Sequence, residues 1–120
     1  MKRFVATLVA ILVLGIAGAT AQAGTPLSTK DFKILSFDLR WEYSYLLVYG
    51  EVQNIGPIPA GCQVEVIVRD EAGKLVDVAK FWPNSTNNIP PGETCGFKHP
   101  VTRNTQAAKG GIKIISARKW

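Results

Sequence analysis

The sequence predicts an all-β protein, an antiparallel β-sandwich of about six to seven strands. Apolar side chains alternate with polar ones in one segment after another from residue 35 onward, which is the period-two pattern of half-buried strands. Clusters of Gly, Pro, Asn and Asp separate these segments at the short intervals typical of sandwiches. No segment of this region gives a convincing helical pattern.

Residues 1–23 have the three parts of a secretory signal peptide. Lys2 and Arg3 provide a basic start, Phe4 to Ala19 is a nearly unbroken apolar run, and Ala21-Gln22-Ala23 has the small-x-small pattern that signal peptidase recognises. We expect cleavage after Ala23, with a cut after Ala19 as the alternative. A retained membrane anchor is the rival interpretation, since about 18 apolar residues can span a bilayer, but no basic stop-transfer cluster follows the run.

Cleavage leaves residues 24–120 as a single domain, which we expect in the periplasm or outside a bacterial cell. This segment holds 12 Lys and Arg against 9 Asp and Glu, a net charge of +3. Basic and acidic residues alternate along the predicted strands, whereas nucleic-acid binding usually shows a clustered basic stripe. We expect neither nucleic-acid binding nor stable membrane insertion after cleavage.

The first two strands differ in how clearly their faces are defined. Leu35–Trp41 alternates strictly, and its apolar residues predict one buried face: Leu35, Phe37, Leu39 and Trp41. Tyr43–Gln53 carries large side chains on both faces, with Leu46, Val48 and Val52 on one side and Tyr45, Leu47 and Tyr49 on the other. Gly56-Pro57-Ile58-Pro59 then ends the pairing, because proline lacks an N–H group.

The third and fourth strands form a predicted hairpin. Gln63–Asp70 places Val64, Val66 and Val68 on one face and polar side chains on the other. Asp70-Glu71-Ala72-Gly73 is the turn, with Gly73 at the position that needs a positive φ. Lys74–Trp82 returns as the fourth strand.

A polar loop and two further strands complete the chain. Pro83–Pro91 is rich in Asn, Ser and Pro, and Gly92 closes it. We expect a fifth strand over Glu93–Val101 and a last strand over Gly111–Lys119.

Three of these features together resemble the FxLYD family of small bacterial domains. They are the run Val48–Gly56 (VYGEVQNIG), the hairpin around Asp70 and Gly73, and Pro91-Gly92-Glu93 before a strand that contains phenylalanine. Where the family's Phe-x-Leu-Tyr-Asp signature would fall, this chain has Val66-Ile67-Val68-Arg69-Asp70 and keeps only the aspartate. The resemblance covers roughly residues 34–101. It implies an immunoglobulin-like fold, an extracytoplasmic location and a non-enzymatic role, and it carries over no catalytic residue.

Cys62 and Cys95 are the only cysteines, and we expect a disulfide because exported chains with an even number of cysteines usually pair them. A redox pair would usually show Cys-x-x-Cys, which is absent from the sequence. Cys95 and His99 lie four residues apart on a predicted strand, about 13 Å at ~3.3 Å per residue, which excludes a shared metal ion or a thiol nucleophile with His99 as its base. If the second and fifth strands pair antiparallel, Asn54 lies beside Cys95 and Cys62 returns to the same end, so that a bridge is geometrically reasonable.

The outward side of the second strand is the first candidate binding surface. Tyr45, Leu47 and Tyr49 would form an exposed aromatic patch, which often marks a partner site. The alternative is that these side chains pack across neighbouring strands, as aromatic residues on outward sheet faces commonly do.

The loop at residues 81–88 is the second candidate. It combines Phe81 and Trp82 with hydrogen-bonding side chains, among them Asn84 and Asn87, and loops of this composition can recognise sugars and peptides. The alternative is that the two aromatic residues end a strand in the core and the Asn-rich run only turns the chain.

No set of residues commits the chain to catalysis. There is one histidine and no Gly-x-Ser-x-Gly motif, and Glu51, Glu65 and Asp77 would have to meet across strands to act as paired carboxylates. Asp70 and Glu71 fall short of the 6 to 8 oxygen ligands typical of a Ca²⁺ site. We therefore expect a non-enzymatic module with no cofactor or metal, whose partner is an unknown protein or envelope component. The alternative is a small protein inhibitor or a carbohydrate-binding accessory domain that uses the loop at 81–88.

Overall fold

A computed structural model describes residues 3–5 and 27–120. They form seven strands and one 3-10 turn (Thr29–Asp31), and no α-helix occurs in these residues. The strands are β1 (Arg3–Val5), β2 (Phe32–Glu42), β3 (Tyr45–Asn54), β4 (Gly61–Arg69), β5 (Leu75–Phe81), β6 (Thr94–Thr102) and β7 (Lys109–Arg118). No helix in this part of the chain is long and apolar enough to cross a membrane. Apart from β1, the predicted signal peptide lies outside the described residues, and its cleavage stays a prediction.

The strands build two antiparallel sheets packed face to face, which confirms the predicted all-β sandwich. One sheet has the order β1-β2-β3-β6 and the other the order β5-β4-β7. Thus β2, β3 and β6 lie in one sheet, and β4, β5 and β7 lie in the other. At its two sides, β2 packs near β7 and β5 packs near β6.

The core lies between the sheets and is built mainly from the inward faces of β3 and β4. The alternation predicted for both strands is confirmed, because these side chains are buried: Leu46, Val48, Val52, Val64, Val66 and Val68. Alternating apolar residues stabilise a sandwich in this way because successive side chains of a strand point to opposite faces. The outward faces of both strands are thereby left available for other contacts.

The predicted hairpin turn is confirmed at Gly73, which has a φ of 90°. The carboxylate of Asp70 accepts hydrogen bonds from the backbone N–H groups of Ala72 (2.9 Å) and Lys74 (2.8 Å). An aspartate at the start of a turn commonly satisfies backbone donors in this way. The turn therefore forms from local sequence alone.

The structure corrects the prediction for the first strand of the sandwich. Leu35, expected on the buried face, is 41% exposed, because the pairing with β3 shifts register between Ile34 and Ser36. The strand also begins earlier than predicted, at Phe32, whose side chain joins the core. Tyr43, expected at the start of the second strand, lies instead in the turn before it with a φ of 61°.

Candidate binding surfaces

The outward side of β3 carries an aromatic surface, which we call the tyrosine surface: Tyr45, Leu47 and Tyr49. Tyr45 is 42% exposed, whereas Leu47 and Tyr49 are half-buried. The three side chains share one face because they alternate with the buried side chains of the same strand. The sheet thus brings the predicted residues together, with Tyr45 the most accessible.

Three cationic side chains cover the two tyrosine rings. The guanidinium of Arg40, from β2, lies 4.5 Å from the centre of the Tyr49 ring, and the amine of Lys98, from β6, lies 5.5 Å from it. Arg103, just after β6, places its guanidinium 5.3 Å from the centre of the Tyr45 ring. All three lie within the ~6 Å range in which a cation is attracted to an aromatic face.

A polar network fixes the orientation of Tyr49 and Arg40. The Tyr49 hydroxyl donates a hydrogen bond to the Glu42 carboxylate, which raises the pKa of Tyr49, and partial desolvation raises it further, while Lys98 lowers it. Arg40 donates from Nε to the Asp38 carboxylate at 3.0 Å. The Tyr49 ring and the Arg40 guanidinium above it are therefore held in place before any partner arrives.

Sequence reasoning missed Arg40, Lys98 and Arg103. In the ladder, Tyr49 pairs with Asp38 on one side and with Lys98 on the other, and Leu47 pairs with Arg40. The signal that would find these neighbours is the cross-strand register, which the period of a single strand does not contain.

The loop at residues 81–88 divides between core and surface. Phe81 is buried and stacks on the His99 ring with centroids 4.2 Å apart, so it belongs to the core. Trp82 is half-buried and meets Trp120 edge to face at 5.3 Å, with the guanidinium of Arg118 lying 4.3 Å from the centre of the Trp120 ring. We call Trp82, Trp120 and Arg118 the tryptophan cluster.

Asparagines connect the loop to the end of the chain. Asn88 accepts from the backbone N–H of Trp120 at 2.9 Å, and its side-chain amide donates back to the Trp120 carbonyl at 3.4 Å. Asn84 donates to the carbonyls of Asn87 and Asn88, both at 3.4 Å, so it stabilises the turn itself. Of the two asparagines predicted as binding residues, Asn87 is the exposed one. Sequence reasoning missed the contact of Arg118 with Trp120 and the hydrogen bonds by which Asn88 holds Trp120.

The two cysteines approach each other from opposite sheets. Cys62 is buried on β4, Cys95 is half-buried on β6, and both are free thiols in this structure. Cys95 pairs with Val52, so β3 and β6 are antiparallel neighbours as the bridging argument requires. Burial raises the pKa of the Cys62 thiol to about 12, and the proximity of Cys95 adds to this rise. The disulfide itself stays a prediction.

The described residues hold no group of three or more His, Cys, Asp or Glu side chains that could bind a metal ion. The features that converge are instead aromatic rings, cations and amides, which are suited to holding a partner by contact. The class defined here is an antiparallel β-sandwich with two aromatic surfaces. Comparisons with protein families, with curated proteins and with solved structures gave no match.

Proposed function

We propose that this protein is a non-catalytic binding module of the bacterial periplasm or of the secreted fraction, and that it contacts a protein or another envelope component. The observation that carries the proposal is the tyrosine surface, where three cations lie over the rings of Tyr45 and Tyr49. The signal-like residues 1–23 and the resemblance to FxLYD domains support the location.

The composition of this surface is that of an interface centre. Tyrosine and arginine are enriched among the residues that dominate binding energy, because they offer large contact areas with polar tips. Side chains already held by hydrogen bonds lose little conformational freedom when a partner binds. Tyr49, held by Glu42, and Arg40, held by Asp38, meet that condition.

A site-specific photo-crosslinker tests the proposal in the intact cell envelope. With benzoylphenylalanine in place of Tyr45, we expect one discrete crosslinked product, which disappears when Arg103→Gln is added. The matched control places the same probe at Ile55, an exposed position in the turn after β3, ten residues along the chain from Tyr45. If the two positions give the same products, or if Tyr45 gives none, the tyrosine surface is not an interface.

A second candidate function rests on the tryptophan cluster. Trp82 and Trp120 present two rings inclined at 73° beside Arg118 and the exposed Asn87, an arrangement that supports the alternative of a carbohydrate-binding accessory domain or a small protein inhibitor. Titration with cell-wall glycan fragments would change tryptophan fluorescence if sugars bind here, and Trp120→Ala would remove that change. Trp41→Phe is the control, since Trp41 packs against the core on the other sheet. No fluorescence change with any glycan would reject the sugar alternative.

A further inference from the structure

The outer face of the three-stranded sheet is organised as cross-strand rows. β4 lies between β5 and β7, so each outward residue of β4 has a neighbour on both sides. Glu65 pairs with Lys80 and Lys113, and Ile67 pairs with Val78 and Gly111. Two residues further along β4, Arg69 pairs with Lys109. An apolar row therefore lies between two charged rows.

The β4 and β7 residues of these rows line a groove of about 400 Å³. Its floor is Ile67, and beside it Gly111 leaves a notch, because a Cβ atom at Gly111 would meet nothing within 4 Å. Arg69 and Lys109 lie at one end and Lys113 at the other. Four residues along β7 separate Lys109 from Lys113, roughly 13 Å at ~3.3 Å per residue.

The groove is positively charged. Its lining brings together Arg69, Lys109 and Lys113 against the carboxylate of Glu65, which lies 3.6 Å from Lys113. Arg69, whose guanidinium donates to the Gly73 carbonyl at 3.2 Å, and Lys109 are both exposed and directly opposite each other, and like charges in this arrangement destabilise a sheet. The carboxylate of Asp70, the next residue along, is engaged by two backbone N–H groups of its turn. The Arg69–Lys109 end is thus the natural position for an external anion.

We propose that this groove binds an extended acidic segment of a protein partner with the pattern acidic-x-apolar-x-acidic. Residues i, i+2 and i+4 of an extended chain point to one side and span roughly 13 Å, which matches the two charged ends and the apolar floor between them. One acidic side chain contacts Arg69 and Lys109, the apolar one enters the notch at Gly111, and the second acidic one contacts Lys113.

The chemistry of the floor and the charge of the chain favour this occupant over two others. Ile67 is aliphatic, whereas sugar rings are usually held by stacking on aromatic side chains. A second copy of the chain is disfavoured because residues 24–120 carry a net charge of +3. In this chain, Asp38 and Glu42 are the acidic residues that lie four positions apart. The residue midway between them is Arg40, which is charged where the proposed pattern needs an apolar side chain.

Amide NMR of the ¹⁵N-labelled protein tests the site directly. The probe is the blocked peptide Glu-Ser-Leu-Ser-Glu, and its matched control is Gln-Ser-Leu-Ser-Gln. Exposed ion pairs are individually weak, so we expect a Kd on the order of 10⁻⁴–10⁻³ M. Titration should shift the amide signals of Gly110, Gly111 and Lys113. The control peptide should bind about tenfold more weakly because it lacks the carboxylates, and high salt should weaken binding of the acidic peptide to a similar extent because it screens the ion pairs.

Two variants locate the binding within the groove. Gly111→Glu fills the notch and adds a negative charge at a position with free space, so the fold should be kept while the peptide response is lost. Arg69→Gln combined with Lys109→Gln should also abolish the response. Lys33→Gln, an exposed lysine on β2 of the other sheet, is the control and should bind as the unchanged protein does.

The proposal is overturned if millimolar peptide leaves the Gly111 amide unshifted, or if both peptides shift it equally. It is also overturned if phosphatidylglycerol vesicles or an oligogalacturonate shift the groove amides and the peptide does not, because the ligand would then be a lipid or a polysaccharide. The groove lies on the opposite sheet from the tyrosine surface. Failure of the crosslink at Tyr45 therefore leaves this titration unaffected, and the reverse also holds.

Discussion

Asn54 is a fully buried polar side chain whose hydrogen-bonding atoms are all used. Its amide nitrogen donates to the carbonyls of Ile58 (2.9 Å) and Ile89 (2.7 Å), and its oxygen accepts from the N–H of Gly56 (2.8 Å). One residue thus holds the turn after β3 against the end of the Asn-rich loop. A buried amide with every partner in place stabilises one conformation, because each competing arrangement leaves polar groups unpaired.

Asn54→Ala should lower the free energy of unfolding by about 3 kcal/mol, since it removes three hydrogen bonds to the backbone of Gly56, Ile58 and Ile89. Asn54→Asp should be comparably damaging, because its carboxylate would face two carbonyl oxygens. Urea denaturation followed by circular dichroism measures both changes. Asn87→Ala, at an exposed position of the same loop, is the matched control and should change stability by less than about 0.5 kcal/mol. A loss below about 1 kcal/mol for Asn54→Ala would contradict the role assigned to this residue.

We expect the Cys62 thiol to make the stability of the reduced protein fall as the pH rises into the alkaline range. Burial raises its pKa to about 12 in the folded protein, whereas an unfolded thiol titrates near pH 8.5. Below that pH the thiol is protonated in both states and its stabilising contribution is complete. Between about pH 8.5 and 12 the unfolded state loses the proton first, so the stability of the reduced protein falls by up to about 1.4 kcal/mol per pH unit.

This decline is measured as the difference between the reduced protein and Cys62→Ala across the alkaline range. The variant should lack the contribution of the thiol, while the tyrosines and lysines titrate in both proteins and cancel. Parallel pH profiles for the two proteins would show that the thiol is not held protonated by its surroundings.

At the scale of secondary-structure elements, the faces of β3 and β4 could be predicted because alternation is a local property of the sequence. The bulge at Leu35 could not, since a register shift depends on which partner strand lies alongside. For the same reason, the tyrosine surface could be predicted from the sequence, whereas the cationic side chains that lie over its rings could not. Arg40 and Lys98 reach the Tyr49 ring only through pairing with strands distant in sequence.

Close packing between neighbouring strands leaves no room for a side chain at Gly50. A Cβ atom at this position would overlap the Ser36 carbonyl oxygen and the Phe97 ring, and the carbonyl belongs to the backbone of the neighbouring strand. Gly50→Ala should therefore destabilise the protein by about 2 kcal/mol through overpacking. Gly111→Ala is the matched control, because it also replaces a strand glycine but enters free space, and it should be neutral or slightly stabilising. Thermal denaturation compares the two, and equal shifts in Tm would contradict the steric explanation.

At the scale of the whole molecule, the distribution of charge differs from what the sequence suggested. Basic and acidic residues alternate along the chain, yet β4 and β7 bring Arg69, Lys109 and Lys113 to one outer face. The groove at Gly111 is lined by β4 and β7, two strands far apart in sequence, and by a missing side chain, so no single segment contains it. The sandwich and the tyrosine surface were predictable, whereas the groove required the pairing of the strands.

The predicted Cys62–Cys95 bridge affects the stability of the whole sandwich. It would join β4 to β6, strands of opposite sheets, and close a loop of 33 residues, which stabilises the fold by about 4 kcal/mol on the loop-entropy model. For a domain of this size that corresponds to a rise in Tm of roughly 15–30 °C. Exported protein should carry no alkylatable thiol until it is reduced.

Differential scanning calorimetry with and without reductant measures this effect. Reductant should lower the Tm of the exported protein and leave that of the Cys62→Ala, Cys95→Ala double variant unchanged, since the variant has no bond to break. The double variant should melt near the reduced protein, because it loses the same constraint on the unfolded chain. Two thiols that react with iodoacetamide in denatured, unreduced exported protein would show that the sandwich is held by packing alone.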